Sequence, residues 1–144
     1  MYINGCIDYS FQSKQSQGIL FNSKLKNDYR TTLINNISKE LDFSIKKGPY
    51  VWVTGPSYET PAEISDMVSL NGAAVGMSTF PEIKKAINFG MDVYGFAILT
   101  NYAAGISGEL LSHVDVVNSA QNNIGKLEKT IFKLIDYLGE NQNE

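Results

Sequence analysis

The sequence predicts an α/β domain, a mostly parallel sheet flanked by helices. Three observations lead there. From Tyr50 onward, short apolar runs alternate with helical patterns. Those runs are apolar on both faces, as strands covered on both sides are. The chain then closes on a long amphipathic stretch, in which Val117, Ala120, Ile124, Leu127, Ile131, Leu134 and Leu138 step by three and four residues.

Taken in order, residues 1–24 are polar and show no period, so they are expected to form loop. A helix is expected over Leu25–Phe43, where Leu33, Ile34, Ile37 and Leu41 fall at helical intervals. Gly48-Pro49 is expected to break the chain. Tyr50–Thr54 is a predicted strand, Pro61–Leu70 a helix with Ile64, Met67 and Val68 on one face, and Ala73–Gly76 a short strand. Phe80–Phe89 is a predicted helix ended by Gly90, and Val93–Thr100 a near-continuous apolar strand. A loop, Tyr102–Leu111, precedes the long helix, expected from about His113 to Leu138 and to pack on the domain's own sheet rather than in a coiled coil. Residues 139–144 form a polar tail, and the whole reads as a single partial domain.

Composition narrows the function classes. The chain has 144 residues, 43% hydrophobic and 19% charged, with a formal net charge of -3, an ordinary globular balance. There is no Lys/Arg-rich run to suggest a nucleic-acid partner. No apolar run approaches the ~20 residues that span a bilayer, and the opening residues do not resemble an export signal, so a cytoplasmic location is expected. Cys6 is the single cysteine and His113 the single histidine. An internal disulfide is excluded, and the pair cannot supply a structural zinc site. No metal is expected.

The chemistry-bearing residues cluster after the predicted strands. In GPSYETPAEI, Thr60, Pro61 and Glu63 form a capping box, with Thr at the N-cap, Pro at the first helical position and Glu at the third. Glu63 serves the helix, and Glu59, one residue outside it, is either a solvated loop acid or a ligand contact. The second loop repeats the pattern: Ser78 follows the strand ending at Gly76, and Thr79-Phe80-Pro81-Glu82 resembles another cap. Ser78 either helps cap that helix or, with the free N–H groups there, holds an anion. Gly76 lets a ligand approach the backbone. After the third strand, Asn101 is either a turn residue or an amide placed to read a heterocyclic base. Ser112 is a candidate N-cap of the last helix, and His113, in its first turn, is either a surface histidine or a neutral hydroxyl partner. Ligands of open α/β folds bind outside the carboxyl ends of strands, so an acid, an anion site and an amide gathered there suit a molecule with a base and a phosphate.

These motifs resemble a known family. GPSYETPAEI, GAAVGMSTFPEI, ILTNYAAG and LSHVDVV follow, in order and spacing, the second half of the trimeric-type purine nucleoside phosphorylases. FNSKLKNDYRTTL looks like a degraded form of that family's preceding stretch. The resemblance covers roughly residues 20–138 and is strong from Tyr50 to about Val117. It implies half of a phosphorylase/hydrolase-like nucleoside phosphorylase fold, with residues 25–138 as the C-terminal half. By resemblance, Glu59 accepts a hydrogen bond from N1 of a 6-oxopurine, and Asn101 contacts N7 and O6 and stabilises the departing base. Tyr58 lies against base and sugar, the Met77 backbone meets the ribose 2′-hydroxyl, Ser78 binds phosphate, and His113 meets the 5′-hydroxyl. Val75, Gly76, Thr100 and Tyr50 line the pocket. The implied reaction is phosphate-dependent cleavage of inosine- or guanosine-type nucleosides to free base and ribose 1-phosphate, with inorganic phosphate as co-substrate and no other cofactor. A homotrimer is the implied assembly.

The sequence departs from the family in length. The family's first half carries a glycine-containing phosphate loop with Arg and His ligands, and no counterpart stands in this sequence. Phe21 or Asn22 falls near a phenylalanine that covers a neighbouring subunit's sugar, and Tyr102 stands where a Lys is common. Association with a missing N-terminal half, a non-catalytic purine-binding or assembly module, and a methylthioadenosine phosphorylase-like enzyme remain as alternatives. The last is disfavoured by Tyr58 and Glu59 together with Asn101.

Overall fold

Residues 1–10, 28–107 and 113–140 are described by a computed structural model, the side chains of residues 113–115 excepted. Among these residues the order is β1 (Tyr2–Asp8), α1 (Asp28–Glu40), β2 (Lys47–Trp52), α2 (Pro61–Ser69), β3 (Ala74–Gly76), α3 (Phe80–Asn88), β4 (Gly95–Phe96) and α4 (His113–Glu140). The sheet order is β3-β2-β1-β4. β1, β2 and β3 are parallel; β4 runs antiparallel to β1. The expected layered α/β architecture is therefore present, with one antiparallel edge.

Both sheet faces are covered. On one, Ile3, Cys6 and Tyr50 pack against Phe80 and Ile83 of α3. On the other, Tyr2 meets Leu33, Ile34 and Ile37 of α1 and Leu134 of α4, while Ile7, Val51 and Val53 meet Ile64 and Met67 of α2. Fully burying each such side chain contributes roughly 1.5–3 kcal/mol, so these clusters hold the parallel strands rigidly under the loops that follow them.

Three expectations are corrected. The loop expected over residues 1–24 gives way at its start to β1, an interior strand between β2 and β4. Its sequence shows no alternation because both faces are buried and its register against β2 shifts between Ile3 and Gly5. Gly48-Pro49 does not break the chain but lies inside β2. Pro49 pairs beside that irregularity in β1, where a ladder donor is dispensable, and its carbonyl accepts from Ala73 N–H at 2.9 Å. The strand expected over Val93–Thr100 shrinks to Gly95–Phe96 and is antiparallel. Its ladder ends where Met1 and Ala97 exchange hydrogen bonds of 2.7 and 2.9 Å.

The helices match the sequence periods closely. α2 carries the predicted capping box, with both reciprocal bonds made. α1 is tied to the start of β4 by Arg30, which donates to the Val93 carbonyl and to Asp92 and lies over the Tyr94 ring. α4, about 42 Å long at 1.5 Å per residue, packs through Leu134, Tyr137 and Leu138 on α1 and the Tyr2–Phe96 end of the sheet. Lys133 pairs with Glu40 at 2.7 Å. The outward half of its apolar repeat stays in solvent, Ile124 being 62% exposed. The tail expected at Gly139 begins later, since α4 runs on through Glu140.

Candidate functional site

Close approaches gather the loops beyond β2 and β3. The β2 ladder extends past its last strand residue, Val53 N–H donating to the Gly76 carbonyl at 3.1 Å. Gly55, at φ +68°, lies against Met77: a Cβ there would stand 2.4 Å from the Met77 sulfur. Gly76 lies against Tyr50, whose hydroxyl oxygen would be 2.3 Å from a Cβ at that position. A side chain at Gly55 would displace the exposed Met77 thioether, and one at Gly76 would press on the buried Tyr50 of β2, so the GPSYET loop lies beside Met77 and the GMST loop lies on β2.

The third loop reaches the same place by another route. β4 is antiparallel, so Asn101 does not follow a parallel strand as expected. Nevertheless Ala103 and Ala104 pack on the cluster containing Val53, Ile64 and Met67. A Cβ on Gly105 would meet that of Pro61 at 3.0 Å. Residues 103–105 are thereby held against the first turn of α2, directly after Glu59. Tyr9 braces the same helix, its hydroxyl donating to Asp66 at 2.7 Å. That bond to a carboxylate, helped by burial, pushes the Tyr9 phenol up to about 12.

The individual groups differ in their readiness. Glu63 accepts from Thr60 N–H at 2.7 Å and from its hydroxyl at 2.8 Å. These bonds hold the Glu63 carboxyl below its ordinary value. Glu59 takes no part in the cap and is partly exposed beside Tyr58, itself 55% exposed. Tyr50 is buried against Gly76, with its hydroxyl in hydrogen-bonding contact with Ser78 and Thr79; burial raises its phenol, and the bonds with Ser78 and Thr79 oppose that. Ser78 and Met77 face solvent, and Val75, Gly76 and Thr100 are partly covered. Asn101 is exposed and engaged locally: its amide donates to the Tyr102 carbonyl at 2.9 Å and its oxygen accepts from the Thr100 hydroxyl at 2.6 Å. His113 opens α4, but its side chain, like all of Ser112, Phe21 and Asn22, lies outside the described residues.

One expected detail fails. The Thr79 hydroxyl makes no cap to α3. Thr79 instead has φ +77°, a strained conformation for a β-branched residue of the kind concentrated at ligand-binding turns, and its hydroxyl lies 3.2 Å from that of Ser78. A groove of ≈ 500 Å³ runs from Ser78 and Thr79 past Glu82 to Val93–Phe96. Ser78 lies on its rim; Glu59 and Asn101 do not line it. Two features had no signal in the sequence: the strain at Thr79 and the Tyr50 hydroxyl beneath Ser78, both set by tertiary packing. Cys6 is fully buried and burial pushes its thiol up to about 12, so it is no nucleophile. Among the described residues no group of acids, His and Cys could hold a metal ion.

Comparison with known proteins adds to this geometry. The family model of the phosphorylase superfamily matches residues 1–136. Purine nucleoside phosphorylase 1 of Bacillus subtilis is 42% identical over 105 residues, which are 73% of this chain and 37% of that protein. The purine nucleoside phosphorylase of Mycobacterium leprae is 40% identical over 106 residues, 72% of this chain and 39% of its own length. Among solved structures, the Schistosoma purine nucleoside phosphorylase in complex with hypoxanthine superposes with a TM-score of 0.69 at 28% identity, over 75% of this chain and 40% of that one. A methylthioadenosine phosphorylase from Schistosoma mansoni matches 96% of this chain at TM-score 0.77, but at 15% identity it attests the fold alone. The chain thus spans about two-fifths of the length of the three purine nucleoside phosphorylases and 58% of the methylthioadenosine phosphorylase.

Proposed function

The chain belongs to the phosphorylase superfamily, and from that premise we propose that it forms the base- and ribose-recognising part of a purine nucleoside phosphorylase acting on inosine- or guanosine-type nucleosides. The observation that carries the reading is the close approach of the segments that bear Glu59, Ser78 and Asn101, with Gly55 beside Met77, Gly76 on Tyr50 of β2 and Gly105 against Pro61, in a chain 42% identical to a purine nucleoside phosphorylase over the matched span.

In the proposed reaction an oxygen of inorganic phosphate forms a bond to the anomeric carbon as the bond from that carbon to the purine nitrogen breaks. The electron pair leaves with the base, and ribose 1-phosphate remains. Asn101, freed from Tyr102, donates to the purine where that negative charge grows, an interaction stronger in the transition state than in the ground state. Glu59 accepts from the N1 proton of a 6-oxopurine; adenine offers N1 as an acceptor and would meet Glu59 with repulsion. Tyr58 lies on base and sugar, the Met77 backbone takes the 2′-hydroxyl, Ser78 one phosphate oxygen and His113 the 5′-hydroxyl. Val75, Gly76, Thr100 and Tyr50 shape the floor. Orienting both reactants supplies much of the remaining acceleration. A homotrimer working in the cytoplasm completes the proposal; no helix among the described residues is long and apolar enough to cross a membrane.

A second reading, purine binding without turnover, is favoured by the phosphate side. The groove at Ser78 is lined by Thr79 and the acid Glu82 and, among the described residues, by no basic side chain, so those residues offer phosphate little charge compensation. Calorimetric titration with hypoxanthine, paired with an inosine phosphorolysis assay, separates the two. Hypoxanthine binding weakened at least roughly tenfold by Glu59→Gln, about 1.4 kcal/mol, is expected under both. Turnover supports the first reading alone. Hypoxanthine affinity unaffected by Glu59→Gln would remove the base-recognition role.

A further inference from the structure

Thr79 stands at the N-cap of α3 and does not act as a cap. A threonine is favoured there because its hydroxyl accepts from a backbone N–H of the first turn. Here the hydroxyl is turned aside, to 3.2 Å from that of Ser78, and the backbone takes φ +77°. Such a conformation persists only where its surroundings over-determine it. Two buried rings do so. Phe80, the next residue, is 2% exposed and packs on Trp52 with ring centroids 5.3 Å apart. Tyr50 is 5% exposed, and its hydroxyl is in hydrogen-bonding contact with both Ser78 and Thr79. The glycine at position 76 leaves that hydroxyl its place, since a Cβ there would stand 2.3 Å from the oxygen. Three uncharged hydroxyls therefore meet at one turn: one enclosed, one half-buried and one, that of Ser78, exposed on the rim of the groove.

Each hydroxyl carries one proton to donate and lone pairs to accept. The enclosed Tyr50 proton faces only the Ser78–Thr79 pair among the described residues. An oxygen that accepts it has its lone pair used inward and its own proton free to turn away. Hydrogen bonds in such a chain polarise one another, so a donor fed from behind donates more strongly in front. The outward end of this chain is Ser78.

We propose that Tyr50 is a positioning residue: by donating into the Ser78–Thr79 hydroxyl pair it turns the Ser78 proton toward the groove, where a phosphate oxygen accepts it. This rests on the functional reading above, in which Ser78 is the phosphate contact. Orientation of an uncharged donor matters there, because the described residues lining the groove include the acid Glu82 and no basic side chain. Tyr50 itself touches no phosphate in this arrangement and acts through Ser78 alone.

The test is a double-variant cycle on the full chain, with inorganic phosphate and hypoxanthine titrated separately by calorimetry. Tyr50→Phe and Ser78→Ala are each expected to weaken phosphate roughly three- to tenfold, as losing one hydrogen bond does. The loss for phosphate in Tyr50→Phe is expected to exceed that for hypoxanthine by at least about threefold, which a general loosening of the floor would not produce. In the Ser78→Ala background, Tyr50→Phe is expected to have no further effect on phosphate, because residues acting as one unit are not additive. Thr79→Val removes the third hydroxyl while keeping the branched side chain; its smaller loss is likewise expected to vanish in the Ser78→Ala background, and it serves if Tyr50→Phe loses its cooperative melt. Equal losses for the two ligands, or a Tyr50→Phe loss that persists in full without the Ser78 hydroxyl, would overturn the proposal. Ser78→Ala weakening phosphate while Tyr50→Phe does not would defeat the proposal and leave the functional reading standing. Phosphate binding indifferent to Ser78→Ala would remove the phosphate contact from the functional reading and the proposal with it.

Discussion

Gly76→Ala isolates the contact on which the floor of the site depends. The added Cβ would stand 2.3 Å from the Tyr50 hydroxyl oxygen and 3.1 Å from the ring carbon bearing it, far inside van der Waals contact. Tyr50 cannot yield freely: it is 5% exposed, its neighbours Ile3, Cys6, Phe80 and Ile83 are all buried, and its hydroxyl touches Ser78 and Thr79. Overpacking of this kind costs about 1–3 kcal/mol, which for a chain of this size lowers the melting temperature by roughly 3–12 °C. The companion variant Tyr50→Phe removes the atom in worst conflict and leaves the ring carbon. The double variant is therefore expected to recover roughly half of the loss beyond the sum of the single effects, as contacting sites couple. Circular-dichroism melts of the four proteins complete the cycle. A Gly76→Ala midpoint within about 1 °C of the parent, or a strictly additive double variant, would refute the packing of Tyr50 against Gly76.

Other outcomes follow from particular contacts. Arg30→Leu strands the Val93 carbonyl and is expected to cost about 1–3 kcal/mol, whereas Asp92→Asn costs less than about 1 kcal/mol because the Asp92 side chain is 87% exposed; equal losses in chemical denaturation would contradict this division. The Glu63 carboxyl is held below its usual 4.5 by Thr60, so its stabilising effect is present above that value and lost as pH falls through and below it. The difference in melting temperature between the parent and Glu63→Gln should therefore be seen at neutral pH and disappear below 4.5; calorimetric scans across that range check it. Asn101→Asp should shift purine preference toward 6-amino bases by roughly tenfold, about 1.4 kcal/mol, and an unchanged ratio of hypoxanthine to adenine affinity would count against the proposed role of the amide.

What could be read along the chain is what depends on near neighbours in sequence. The cap of α2 needs only Thr60, Pro61 and Glu63, and it forms as their spacing requires. The amphipathic periods of α2, α3 and α4 locate those helices to within a residue or two, and the four motifs carried the family. Strand β1, Pro49 inside β2 and the reversed, shortened β4 were beyond that reach. A strand buried on both faces shows no period, a proline is tolerated only where a distant partner is irregular, and strand direction depends on which neighbour is free to pair. The functional loops divide in the same way. The residue types of Glu59, Ser78 and Asn101 were legible, but the placement of the segments that carry them depends on Gly55 meeting Met77, Gly76 meeting Tyr50 and Gly105 meeting Pro61, and Thr79 takes its positive φ beside them. Local chemistry therefore determined the caps, the helices and the candidate groups, and tertiary structure alone decided where the segments that carry those groups lie, because contacts between residues distant in sequence exist only once the sheet and its helices have closed around them.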